Sequence, residues 1–285
     1  MSLWDKSFTP MLLKEVKKPF DSKDYIYEVK YDGIRAIIFI KHGSVIIKSR
    51  NNTIVTDIFP ELKSLSMYIK SNVILDGEII IFDKGKVSFS KLQKRFSLKN
   101  KKTIEYLSKT NPVLFVCFDI LYENKDITNY TLIKRKEILD KYKDNEYFVK
   151  AKYIKKDGKK LFDIIKKLNM EGIVAKEVNS KYYINKRSSS WLKIKNYKYS
   201  YFYIMGYTYK EGSNKLVFLL GEYVNNKLEC IGKASVGKKS DIAKLVLSSE
   251  GIKNNDIVYL KSLVKCKVGY LEKIGNSSLR HPFIT

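Results

Sequence analysis

The stretch Tyr25 to Ile47, YIYEVKYDGIRAIIFIKHGSVII, decides how the chain is read. Its β-branched and aromatic residues run in strand-like blocks, broken at Asp32-Gly33 and at His42-Gly43, the dipeptides that favour tight turns. It therefore predicts strands joined as antiparallel hairpins. Inside it lies Glu28-Val29-Lys30-Tyr31-Asp32-Gly33-Ile34-Arg35, a lysine at a strand end with Asp-Gly two residues on.

Outward from this stretch, strands are expected at Val73 to Phe82 and Val113 to Leu121. Helical spacing of Leu and Ile marks Leu132 to Tyr142 and Lys159 to Leu168. After Trp191-Leu192-Lys193-Ile194-Lys195 the texture changes. Strands at 201–207, 216–224 and 228–236 are separated by short Gly/Asn turns, a helix follows at 241–249, and a last strand is expected at 264–271. That order and size fit an OB-fold, with the boundary near residues 197 to 200. The expected fold class is α+β: residues 1–198 form one domain of antiparallel sheets with flanking helices, and residues 199–285 form a β-barrel.

The 285 residues are 44% hydrophobic, enough for one sizeable core or two smaller ones. No apolar run approaches the ~18–20 residues of a membrane span, and no secretory leader pattern opens the sequence, so a cytoplasmic protein is expected. Cys117, Cys230 and Cys266 are widely spaced without a CxxC pair. They read as reduced and buried rather than as disulfides or a zinc site. The formal charge of +25 favours a polyanionic partner, nucleic acid or an anionic membrane surface. Only six of the 55 basic residues are arginine, so the lysine excess also fits compositional drift. Both parts are basic: residues 199–285 hold 13 Lys/Arg against 7 Asp/Glu, leaving 42 against 23 before them. Lysine-rich stretches such as Lys99 to Lys102 read as solvated loops.

Alone, the Lys-x-Asp-Gly string is weak, since β-turns favour Asp-Gly. Its partners follow in order: Ser49-Arg50, Asp76-Gly77-Glu78, Phe118-Asp119, Glu171-Gly172-Ile173-Val174-Ala175-Lys176 and Lys193-Ile194-Lys195. With these the chain resembles the covalent nucleotidyltransferase superfamily, and within it the ATP-dependent DNA ligases, over nearly its whole length. The resemblance implies an ATP-grasp-like ligase (nucleotidyltransferase) domain followed by a C-terminal OB-fold. It also implies a three-step reaction: attack on ATP by Lys30, transfer of AMP to the 5′-phosphate of a nick, and displacement of AMP by the 3′-hydroxyl.

Residue by residue, Lys30 matches the lysine that carries AMP, and Glu28 the carboxylate that reads the adenine amino group. Arg35 and Arg50 match arginines on the nucleotide and the 5′-phosphate, a role suited to the planar two-donor guanidinium. Glu78 resembles the ribose or metal carboxylate, and Glu171 the second metal carboxylate, for magnesium or manganese. Phe118 resembles the ring stacked on adenine. Lys176, Lys193 and Lys195 resemble the lysines on the triphosphate, with Lys195 also near the 5′-phosphate. Their charge suits a developing anion. Alternate spacing puts 193 and 195 on one strand face. Trp191 reads as core. Arg135 resembles a helical arginine of the ligases, with a solvated helix face as the competing reading.

An amine attacks phosphorus only when deprotonated, and a free lysine, with a pKa of about 10.4, is charged at neutral pH. Neighbouring cations and desolvation are therefore expected around residue 30. Near the C-terminus, Gly275 to Phe283 resembles the last OB segment of ligase modules in bacterial end-joining systems. Those relatives continue into an Arg-x-Asp-Lys string, whereas this sequence stops at Thr285. The expectation stays open between Arg280 substituting, slow self-adenylation and a shortened chain. Expected partners are nicked duplex DNA and a Ku-like end-binding protein, with no membrane and a monomeric state. NAD is not expected as AMP donor, because only 29 residues precede Lys30. Two alternatives stand beside this reading: an RNA ligase or GTP-dependent capping-type enzyme, and a non-catalytic nucleic-acid-binding relative.

Overall fold

The computed structural model describes residues 3–4, 7–274 and 278–285. The chain divides into two compact units, Met1–Lys195 and Asn196–Thr285.

The first unit is built on two five-stranded sheets. Sheet I runs Leu12–Glu15, Arg187–Lys195, Gly172–Glu177, Ser22–Val29, Tyr153–Lys156. Sheet II runs Ser44–Ser49, Ile34–Lys41, Val73–Ile80, Leu114–Glu123, Phe148–Lys150. Each contains one parallel pairing, Leu12–Glu15 with Arg187–Lys195 and Leu114–Glu123 with Phe148–Lys150, so the expectation of purely antiparallel sheets is corrected to mixed ones.

A second correction concerns the opening stretch. His42-Gly43 is a true hairpin turn, both residues having positive φ (47° and 79°) between the paired strands Ile34–Lys41 and Ser44–Ser49. Asp32-Gly33 is not. The strand before it belongs to sheet I and the strand after it to sheet II, so this dipeptide carries the chain from one sheet to the other. A Cβ on Gly33 would stand 2.2 Å from the Ile79 carbonyl oxygen and 2.8 Å from Glu78 Cγ. Close approach to sheet II, not turn geometry, requires glycine there.

Alternation along the strands divides the apolar residues. Ile26 and Trp191 of sheet I meet Ile37, Phe39, Ile74 and Leu121 of sheet II in one buried core between the sheets, which settles Trp191 as core. Tyr27, Ile173, Ala175 and Ile194 turn to the other side of sheet I, against Ile165 of the helix Gly158–Lys167. Ala36, Ile38, Leu75 and Ile79 do the same in sheet II, covered by Phe59, Leu62 and Leu92. Of Lys99 to Lys102, the first two residues are exposed loop as expected and the last two open a helix: Asn100 caps Lys101–Thr110 by accepting from Thr103 N at 3.1 Å.

Arg135 lies in the helix Leu132–Leu139 and is fully buried, contrary to a solvated face. Its guanidinium holds Asp119 by two bonds of 2.8 Å and donates to the Ser180 carbonyl at 3.1 Å. It joins helix, sheet II and the 177–180 turn. Cys117 and Cys266 are buried as expected, whereas Cys230 is exposed; all three are free thiols.

In the second unit one antiparallel sheet runs Lys227–Gly237, Lys215–Val224, Lys198–Tyr209, Ile257–Tyr270, Gly251–Asn254, with Phe283–Ile284 added beside Ile257–Tyr270. The helix Asp241–Ser248 sits between the third and later strands and packs Ala243 and Val246 onto Phe202, Phe218 and Ile231. The pairings describe a half-barrel sheet. The strand expected at 264–271 is longer, starting at Ile257, and is followed by short strands at Glu272–Ile274 and Ser278–Arg280. Of the segment Gly275 to Phe283, residues 275–277 lie outside the described residues. Among the described residues no helix is long and apolar enough to cross a membrane.

Arg135→Met leaves the Asp119 carboxylate buried without its cation, and is expected to lower stability by about 3–5 kcal/mol. Chemical denaturation checks this. Arg135→Met with Asp119→Leu, which removes both charges, is expected to recover most of the loss.

Candidate active site

Register places the site. The strand Ser22–Val29 pairs antiparallel with Gly172–Glu177, Glu28 opposite Val174, and the Lys30 amide donates to the Gly172 carbonyl at 2.9 Å. Lys176, Val174 and Gly172 in turn oppose Trp191, Lys193 and Lys195. Glu28, Lys30, Lys176, Lys193 and Lys195 therefore share the face of sheet I that looks toward sheet II. Gly172 has φ of 152°, and a Cβ on it would lie 2.1 Å from the Ile194 carbonyl oxygen, so glycine is required where the strands are tightest.

Lys30 is partly exposed, and its Nζ donates to Glu171 Oε2 at 2.8 Å. Glu78 stands near the same ammonium. Burial pushes its carboxyl up to about 8, with Lys30 and Arg35 drawing it back and Glu171 and Asp76 adding to the rise. Lys193 Nζ and Lys195 Nζ reach Glu15 Oε2 at 3.2 and 3.7 Å, confirming that the two lysines lie on one side of their strand. Burial holds the Lys195 ammonium below its ordinary range.

Deeper in, Glu28 is buried between two lysines, Lys176 Nζ at 2.7 Å from Oε2 and Lys136 Nζ beside Oε1. Both contacts are buried ion pairs, two ammoniums on one carboxylate. The Lys176 ammonium lies 4.3 Å from the Phe118 ring centroid and 4.0 Å from that of Trp191, and burial lowers its pKa to about 8 against the pull of Glu28. Phe118 is half-buried, its ring edge-on to Trp191 at 6.2 Å.

Arg35 is bound inside the protein, donating to Asp76 through Nε (3.0 Å) and Nη2 (2.6 Å). Asp76 also accepts from the Tyr182 hydroxyl at 2.7 Å. Arg50 stands apart from this network, exposed on the turn after Ser44–Ser49 and without an ion pair among the described residues. Arg280 belongs to the second unit, 3.8 Å from Glu272. Arg135 is the buried tie described above, not a lining residue.

Four residues of this network were not singled out from the sequence as site residues: Asp76, Glu15, Tyr182 and Lys136. Asp76 was recoverable, being two residues before Glu78 and so on the same strand face. So was Lys136, because Leu132, Arg135, Lys136 and Leu139 fall at i, i+3, i+4 and i+7, the spacing of a buried stripe. Glu15 and Tyr182 come from distant strands and turns and leave no local signal.

The donor set also fits a divalent metal. Glu78 and Glu171 are two carboxylates beside one amine, and among the described residues no third acid, histidine or cysteine completes a cage. Magnesium binds in this way, through one or two carboxylates with phosphate oxygens and water making up the rest.

Residues 10–195 match the family model for the ATP dependent DNA ligase domain. The chain belongs to that family. It is 35% identical over 206 residues to the SPbeta prophage-derived DNA ligase-like protein LigB of Bacillus subtilis, covering 71% of this chain and 73% of that protein. It is 28% identical over 300 residues to the multifunctional non-homologous end joining protein LigD of Mycolicibacterium smegmatis, covering 97% of this chain and 38% of that one. The chain thus spans well under half of LigD. Among solved structures, the ligase domain of M. tuberculosis LigD superposes with a TM-score of 0.61 at 24% identity, covering 97% of this chain and 93% of that chain. A structure described under Lig E DNA ligases gives 0.67 at 14%, covering 98% and 99%. At those identities the likeness establishes the fold. The chain is a DNA ligase of the ATP-dependent class.

Arg35→Lys keeps the charge but loses the two-pronged grip on buried Asp76, and is expected to cost about 2–4 kcal/mol of stability in urea unfolding. Arg50→Lys, on an exposed turn, is expected to change stability by less than about 0.5 kcal/mol. Comparable destabilisation by the two would contradict the structural distinction.

Proposed function

We propose that this ligase seals 5′-phosphate/3′-hydroxyl nicks in duplex DNA through a lysyl-AMP on Lys30, with residues 1–198 as the adenylation domain and 199–285 as an OB-fold domain. The observation that carries the reading is the Lys30 amine hydrogen-bonded to Glu171, with Glu78 beside it and the Lys193/Lys195 pair on the same face. Here the nitrogen of Lys30 forms a bond to the α-phosphorus of ATP, the bond from that phosphorus to the β-phosphate bridge oxygen breaks, and pyrophosphate leaves. Glu171 is placed to receive the proton that the ammonium gives up. Lys193 and Lys195 face the charge that develops on the departing phosphates.

Glu28, with Lys136 and Lys176 around it, offers a carboxylate and two ammoniums to the edge of the purine, and the half-buried ring of Phe118 suits stacking against it. Arg50 is the exposed guanidinium suited to the 5′-phosphate. Arg35, closed onto Asp76, serves by holding the strand after the lysine loop. Magnesium, with manganese as a substitute, would be held by Glu78 and Glu171, where it would neutralise phosphate oxygens. The order of three strands, helix and further strands supports the OB-fold assignment for the second unit. The protein acts as a monomer on nicked DNA with a Ku-like end-binding protein as partner, and the likeness to LigD, named for non-homologous end joining, supports a role in that kind of repair.

Lys30→Ala is expected to take up no label from α-labelled ATP and to leave an ordinary nick open, while still joining DNA that already bears the 5′-adenylate. Sealing of ordinary nicks at the parent's rate would remove Lys30 as nucleophile. Label transferred from GTP in preference to ATP would instead favour the capping-type alternative.

A further inference from the structure

The strand Lys198–Tyr209 turns Phe202 and Ile204 into the core of the second unit and Tyr199, Tyr201 and Tyr203 to its outer face. Tyr199 and Tyr201 are among the most exposed large side chains of the chain, 53% and 61% accessible, and Tyr223 of the neighbouring strand, 55% accessible, meets Tyr203 at 5.7 Å. On the other side, Ile257–Tyr270 pairs Lys267 with Tyr201 and Lys265 with Tyr203. The ammoniums lean diagonally, Lys265 to 5.4 Å from the Tyr201 ring and Lys267 to 5.7 Å from that of Tyr199. No outward-facing position of these three strands is acidic.

We propose that this tyrosine–lysine face binds single-stranded DNA, separately from the nick-sealing site. Three features argue for that occupant. Residues two apart on a strand repeat every ~7 Å, so Tyr199, Tyr201 and Tyr203 form an evenly stepped row of rings. A row of rings has a partner in unstacked bases, each of which offers a π face whatever its identity. A duplex hides those faces within its own stack and would leave the rings idle. The flanking lysines supply the charge that follows a phosphate backbone. Exposed cation–π contacts are weak, so the ammoniums are readily turned from ring to phosphate. An apolar protein surface would have to desolvate those same lysines. The face thus gives the ligase a hold on a frayed or overhanging strand, a substrate element distinct from the nick.

The test uses the full chain and a fluorescein-labelled oligo(dT), with anisotropy as readout and a nicked duplex in parallel. Tyr199→Ala and Tyr201→Ala are each expected to weaken oligo(dT) binding about fivefold or more, and Tyr→Phe at either position to keep it, because stacking needs the ring. Lys265→Gln with Lys267→Gln is expected to flatten the salt dependence of oligo(dT) binding. Adenylation by ATP and nick sealing are expected to stay within about twofold in all of these variants, so the proposal stands or falls apart from the role of Lys30. Unchanged oligo(dT) affinity in the alanine variants overturns it. So does equal loss of oligo(dT) and nicked-duplex binding, which would make the face part of the duplex clamp. Tighter binding of oligo(rU) than of oligo(dT) overturns the assignment to DNA.

Discussion

The pairing of Ser22–Val29 with Gly172–Glu177 is the constraint on which the rest of the site depends. It sets the Lys30 amide on the Gly172 carbonyl, and so brings the Lys30 side chain to Glu171 from 141 residues away in sequence. Side chains on a strand alternate, so a slip of one residue would turn Lys30 and Glu28 into the apolar layer behind the sheet and bring Tyr27 and Val29 to the front. That layer, Tyr27, Ile173, Ala175 and Ile194 against Ile165, forbids the slip. The apolar packing on one side of sheet I thereby fixes the charged arrangement on the other.

A second constraint is the crossing at Asp32-Gly33. Because the chain leaves sheet I immediately after Lys30 and enters sheet II at Ile34, the amine stands where the sheets part and not within either. Gly33 lies against Ile79 and Glu78, so the same two residues that make the crossing possible bring the carboxylate of one sheet to the amine of the other. The Arg35–Asp76–Tyr182 bonds then hold the departing strand at depth. Each of these buried polar contacts is costly to break and modest in net stabilisation, which makes them devices of position more than of stability.

The sequence signals at Asp32-Gly33 and His42-Gly43 are alike, and only one of them is a hairpin. Local composition reports that a strand stops; it carries nothing about which sheet the next strand joins. His42 and Gly43 take the positive φ that a tight hairpin needs, whereas Gly33 is required by a neighbour 46 residues downstream. The candidate site residues were legible for the opposite reason: Lys30, Glu78, Glu171, Lys193 and Lys195 sit in short motifs that follow one another in order along the chain. Arg135 and Lys136 show the middle case. Their spacing with Leu132 and Leu139 marks a buried stripe, but long basic side chains on a helix read as solvated until the acceptors Asp119 and Glu28 are found on other elements.

The trio Glu28, Lys136 and Lys176 follows from neither propensity nor packing. Three charged groups, each at most 3% exposed, set two cations against one carboxylate away from water. Apolar residues of the same volume would be expected to hold this part of the fold at least as well. The Lys176 ammonium has already lost much of its ordinary basicity to burial, and the flanking Phe118 and Trp191 rings compensate only in part. An arrangement that the fold holds at a cost is understandable where binding makes use of it. On the nucleotide reading, a purine edge would satisfy the carboxylate, and phosphate would balance the excess charge. The cost of burying this trio and its proposed use in binding then have one origin, because charges that the fold keeps from water are those a bound nucleotide would meet most strongly.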